Sequence, residues 1–135
     1  MTNREIILEA EKYLYPHQNG DRVFGNVAAV LVTANGNSFS GVCIDTGSGT
    51  GFCAEAAAIG TMVTAKEYEI KQIVAVWKDD RDGKLYVLPP CGICREFIRQ
   101  IDEKNLDTEV VLGATESSSL RDLLPRNEWP EAVEL

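Results

Sequence analysis

Two short segments carry the residues of this chain best suited to chemistry: Cys53-Ala54-Glu55 and Pro90-Cys91-Gly92-Ile93-Cys94. Together they offer three sulfurs and one carboxylate. A hydrolytic zinc site requires three protein ligands, a fourth coordination position left open to water, and an acid close by to move protons. Cys91 and Cys94, with two residues between them at a helix start, can aim both sulfurs at one point. The free N–H groups and dipole of such a helix end favour thiolate there. Cys53 also opens a helix on its sequence pattern, so two helix N-termini that meet would bring three thiolates together with part of their charge offset. Three thiolates leave zinc a weaker Lewis acid than three imidazoles would. Arg95, one turn after Cys91, is expected to counter this by donating to a ligating sulfur. Glu55 falls in the first turn of its helix, where its carboxylate can reach the open position and shuttle a proton.

The elements that must position these groups can be read from the hydrophobic pattern. Ile6, Ile7, Ala10, Tyr13 and Leu14 predict an amphipathic helix over 2–15, ended by Pro16. The Val- and Ala-rich run 23–33 predicts a buried strand. The Asn35-Gly36 turn returns the chain as a partner strand over 38–45. After the Gly-rich loop 46–51, an alanine-rich helix is expected over 53–67, a strand over 70–77, a helix over 91–101, a strand over 107–112 and a short helix over 119–124. Leu85 to Leu88 either extends the sheet or leads into the prolines. The later alternation predicts crossovers onto a mostly parallel sheet, and the hairpin adds an antiparallel pair. The fold class is therefore α/β, with a mixed sheet of about five strands and helices on both faces.

With 135 residues the chain suits a single domain spanning 1–135. No apolar run is long enough to cross a bilayer, and the first residues lead into an amphipathic segment rather than a signal peptide. Free thiols in a CxxC pair fit a reducing cytoplasm. The net charge of -8 is spread along the chain, without a Lys/Arg cluster. That argues against a nucleic-acid partner and for a small neutral or cationic substrate.

A non-ligating Glu beside a three-sulfur zinc, with a P-C-x-x-C segment, is the arrangement of zinc-dependent base deaminases. Cys53-Ala54-Glu55 followed by Pro90-Cys91-Gly92-Ile93-Cys94-Arg95 resembles the cytidine deaminase superfamily, in its small branch with three cysteine ligands. The similarity extends over the Val27-Ala28-Ala29-Val30-Leu31 strand, Gly41-Val42 and Leu123-Leu124-Pro125. The resemblance implies a three-layer αβα sandwich and a homotetramer or dimer. It also implies zinc held by Cys53, Cys91 and Cys94, Glu55 as proton shuttle, and a small substrate bearing a cytosine ring. Plain cytidine deaminases read Asn-x-Glu in the second strand, where this chain has Cys43-Ile44-Asp45, and they carry Arg where Ala56 stands. The blasticidin-S deaminase-like group lacks that Glu and Arg and has a Gly-rich loop before Cys-Ala-Glu, so the closer similarity is to that group. Phe24, Asn26, Asp45, Ala54 and Trp129 are the expected substrate-side residues, with Asn26 placed against the cytosine ring.

Other readings compete. A purely structural zinc would want a fourth ligand. Cys43 is the only other thiol and is expected to be a buried strand residue. His17 is the only imidazole and is expected in an exposed loop. Cys91-Gly92-Ile93-Cys94 also resembles a thiol–disulfide exchange motif, but that leaves Cys53 and Glu55 unexplained. Gly47 to Gly51 is not followed by Gly-Lys-Ser/Thr, so a phosphate cradle is not expected. Trp77 is expected in the core.

Overall fold

The computed structural model describes residues 1–135. The chain begins with α1 (Asn3–Glu11), started by a capping box between Thr2 and Glu5. The helix stops short of Pro16. Tyr13 and Leu14 tighten onto the carbonyls of Ala10 and Glu11, and the Tyr15 N–H is spent on Gly25 O at 3.1 Å. An edge strand β1 (His17–Asn19) leads to β2 (Arg22–Thr33), β3 (Ser38–Asp45), α2 (Ala54–Thr64), β4 (Ile70–Lys78), β5 (Leu85–Val87) and α3 (Gly92–Ile101). A 3-10 turn over Glu103–Asp107, β6 (Glu109–Val111), β7 (Ser117–Ser119) and α4 (Leu120–Leu123) complete the order.

Side chains alternate between two apolar layers, as the two-residue period of a strand requires. Ala28, Val30 and Val32 of β2 and Val74 and Val76 of β4 face Ile6, Ile7 and Ala10 of α1. Ala29 and Leu31, with Ile73 and Ala75, face Ala54, Ala58, Ile59 and Met62 of α2 and Ile98 of α3. The sheet is thus covered on both sides, which explains the unbroken apolar run in β2. The helix–sheet–helix sandwich and the mixed sheet follow the expectation, with seven strands rather than about five.

The sheet is not mostly parallel. Only β4 and β6 pair in parallel; every other named pairing is antiparallel. The crossovers do join strands of like direction: β3, β4 and β6 all run the same way. Yet β2 lies between β3 and β4 and runs against both. The extra strands are the short β1, β5 and β7. His17 accordingly lies in a strand rather than a loop, though exposed as expected. Ser117–Ser119 pairs with β6, leaving a four-residue helix where 119–124 was expected.

Candidate metal centre and active-site cleft

Both cysteine segments sit at helix starts. Cys53 is the N-cap of α2 and Cys91 the N-cap of α3, each with extended backbone. The end of β3 delivers Cys53: Ile44 and Phe52 exchange two 3.0 Å backbone hydrogen bonds, closing the Gly-rich loop immediately before it. Gly41 in β3 lets α2 lie close, since a Cβ there would meet the backbone of Ala57 and Ala58. On the other side, Pro89-Pro90 forbid helix before Cys91, so α3 begins where the thiol is needed.

The sulfurs of Cys53, Cys91 and Cys94 all lie within 4.8 Å of one another, and Cys53 Sγ is 3.8 Å from Cys91 Sγ. Tetrahedral zinc with sulfur at about 2.3 Å sets its ligands about 3.8 Å apart. The donor type, number and spacing therefore fit a zinc ion held by three thiolates. No fourth His, Cys, Asp or Glu joins the cluster. Cys43 is buried in β3, and its thiol donates to Asn26 Oδ1 at 2.7 Å. His17 stacks on Phe24 in the β1–β2 ribbon.

Glu55 is buried, and its carboxylate takes no hydrogen bond from another side chain. Burial pushes its pKa above the ordinary carboxylate range, partly opposed by its own backbone N–H. Burial raises the Cys53 thiol, and burial followed by the Glu55 charge raises that of Cys94. Burial works in the same sense on Cys91. There the Cys94 N–H, the neighbouring thiols and the Ile93 N–H outweigh it, and Cys91 is held below its usual range. Neither N-cap thiol closes a capping hydrogen bond, so the sulfurs stay available as ligands.

Two cavities flank the sulfurs. The larger, about 430 Å³, is mostly apolar and takes Cys53, Cys94, Asn26, Cys43 and Asp45 into its wall. The smaller, about 170 Å³, is lined by Ala54, Glu55, Cys53 and Cys91. Val27, Cys43 and Cys53 border both. Asn26, Asp45 and Ala54 are thus at the site. Phe24 is not on either wall; it is turned onto His17. Trp129 is 91% exposed in the C-terminal segment and lines neither cavity. Arg95 does not reach a sulfur. Nε donates to Pro90 O at 2.8 Å and Nη1 to Leu123 O at 3.0 Å, so it anchors the loop that carries Cys91. Phe52, Ala56, Ile93 and Phe97 also enter the larger wall, beyond the residues expected there from the sequence. Their one signal is adjacency: each lies within three residues of a clustered cysteine.

Residues 4–110 match the family described as the cytidine and deoxycytidylate deaminase zinc-binding region. The chain belongs to this deaminase family. The ion its cysteine cluster fits is therefore zinc, the resident metal of the family domain. A blasticidin-S deaminase of Bacillus cereus is 39% identical over 77 residues, a stretch covering 54% of this chain and 55% of that protein. The chain thus spans about half the length of that relative. The cytidine deaminase of Burkholderia pseudomallei superposes with a TM-score of 0.72 at 28% identity, over 93% of this chain and 98% of that one. The Bacillus anthracis cytidine deaminase, 18% identical, shares the fold with a TM-score of 0.72 over 92% of this chain and 87% of that one. No helix of this deaminase-family chain is long and apolar enough to cross a membrane.

Proposed function

We propose that the protein hydrolytically deaminates the cytosine ring of a small nucleoside-type compound, with blasticidin S favoured and cytidine or deoxycytidine next. The observation carrying this reading is the buried Glu55 carboxylate beside three converged sulfurs that lack a fourth protein ligand. Cys53, Cys91 and Cys94 would hold the metal. When bound, zinc supplies a Lewis acid that lowers the pKa of water at the open position. Glu55 accepts the proton that water loses on adding to the amine-bearing ring carbon and delivers it to the adjacent ring nitrogen. It then helps the amine leave, so that water and the cytosine ring become ammonia and the uracil ring. Asn26 and the backbone at Ala54 hold the ring.

Asp45 is the only charged side chain on the wall of the larger cavity, and no Lys or Arg lines it. A phosphate would meet a carboxylate and no counter-charge there, which supports a nucleoside over a nucleotide. The 39% identity to a blasticidin-S deaminase supports the first-named substrate. Phe52, Ile93 and Phe97 are exposed beside the cavity, and the reading includes assembly into a homotetramer or dimer that covers them, in the cytoplasm.

An absorbance assay of zinc-loaded protein with blasticidin S, cytidine, deoxycytidine, cytosine and deoxycytidylate tests the reading. Turnover of blasticidin S above the nucleosides, with deoxycytidylate untouched, is expected. Failure to deaminate any of them overturns the reaction, and preference for deoxycytidylate overturns the nucleoside assignment.

A further inference from the structure

We infer that Cys43 is a positioning residue that fixes which end of the Asn26 amide faces the substrate; this rests on the function proposed above. Opposite β3, strand β2 carries an irregularity. Phe24 pairs with Ile44 and Ala28 with Val42, so Gly25, Asn26 and Val27 all stand against the single residue Cys43. Bulges of this kind bend a strand and re-aim a side chain. Gly25 makes the bend possible: its φ is +75°, and a Cβ there would lie 2.7 Å from Tyr15 O. The Gly25 carbonyl is also tied down by the Tyr15 N–H. The backbone immediately before Asn26 is therefore held in place by Tyr15.

The Cys43 thiol donates to Asn26 Oδ1 at 2.7 Å. Both residues line the larger cavity beside Cys53 and Cys94. The bond occupies the amide's acceptor. Its two N–H donors on Nδ2 make no hydrogen bond within the protein and are not sealed off as buried unsatisfied groups. Asn26 therefore meets the substrate as a donor, and the matching group is an acceptor oxygen such as the carbonyl of the cytosine ring. The same bond explains why Cys43 is not a fourth metal ligand: its thiol proton is committed away from the sulfur cluster.

Steady-state kinetics on zinc-loaded variants test this. Cys43→Ala should raise KM about tenfold, the value of one hydrogen bond, with kcat little changed. Cys43→Ser, which keeps a donor, should restore most of the loss. Asn26→Ala should raise KM, and adding Cys43→Ala to it should bring no further rise. Asn26→Asp removes the donors while keeping the acceptor for Cys43, and should raise KM at least as much as Asn26→Ala. Additive losses in the double variant, a KM for Asn26→Asp close to that of the unaltered protein, or no rescue by serine would each overturn the inference. Asn26→Asp and Cys43→Ser keep the inference open to refutation even if Cys43→Ala does not fold: an unchanged KM in the first, or a KM raised about tenfold in the second, overturns it. Loss of turnover by the unaltered protein on every cytosine compound would instead count against the proposed reaction.

Discussion

Cys53 Sγ and Cys91 Sγ lie 3.8 Å apart although 38 residues separate them in the chain. Each is the N-cap of its own helix, and each helix packs on the same face of the sheet. The metal centre is thus a meeting of two helix N-termini, whose dipoles and free N–H groups stabilise negative sulfur. Glu55 rides in the first turn of α2, so the fold that gathers the thiolates also fixes the carboxylate beside them.

Glu55→Gln keeps the size of the side chain and removes the carboxylate proposed to carry the proton. Zinc content should stay at that of the unaltered protein while turnover falls by about 10²–10⁴. Parallel metal analysis and absorbance assays check this. Normal turnover would remove Glu55 from the reaction.

Arg95→Ala should loosen the Cys91 loop without touching a sulfur. The variant loses two hydrogen bonds from a charged donor, to Pro90 O and Leu123 O. A loss of about 1.5–3 kcal/mol is expected in denaturant titration. Arg95→Lys should not recover it, because one ammonium cannot reproduce the planar two-pronged contact.

Gly41→Ala tests the approach of α2 to the sheet. Its methyl would run into the backbone of Ala57 and Ala58, so either strand or helix must move. A destabilisation of about 1–3 kcal/mol is expected from overpacking, together with weaker zinc retention against a chelator, since Cys53 moves with α2. Unchanged stability and zinc affinity would show that α2 is free to shift.

Glu67 should leave a mark on the acid limb of the stability curve. Its carboxylate accepts from Thr33 Oγ1 at 2.6 Å, Asn37 Nδ2 at 2.8 Å and Asn35 Nδ2 at 3.1 Å, bracing the β2–β3 turn. Thr33 foremost, with the two Asn residues, holds its pKa below the ordinary value of 4.5, against a smaller opposing effect of burial. The folded state therefore prefers the ionised form. The stabilisation is full above pH 4.5 and fades as the pH falls through the lower folded-state pKa. Glu67→Gln should lower Tm at neutral pH, and the difference from the unaltered protein should shrink across that acid window.

The parts legible in the sequence are those decided locally. Pro89-Pro90 before a CxxC pair, and Asn35-Gly36 between two apolar runs, each specify their own geometry, and both stand where expected. Strand order is decided by distant partners. Nothing near β4 announces that β2 lies between it and β3, and the alternating pattern alone pointed to a parallel sheet. The exposed three-residue strand His17–Asn19 has too little apolar content to show a period. In the site, residue type pointed to Cys53, Cys91 and Cys94, whose sulfurs the fold gathers, and to Glu55, which shares a cavity wall with Cys53 and Cys91. The direction of a long side chain was not legible: Arg95 turns to two carbonyls, Phe24 to His17, and Trp129 outward. The Asn26–Cys43 bond depends on a bulge that only the cross-strand register reveals.

X-ray absorption at the zinc edge of reduced, zinc-loaded protein reads the metal's ligand shell itself. One zinc per chain is expected, with three sulfurs at about 2.3 Å and one nitrogen or oxygen scatterer completing the shell. A shell of four sulfurs, or protein that takes up no zinc, would contradict a three-thiolate site with one open position.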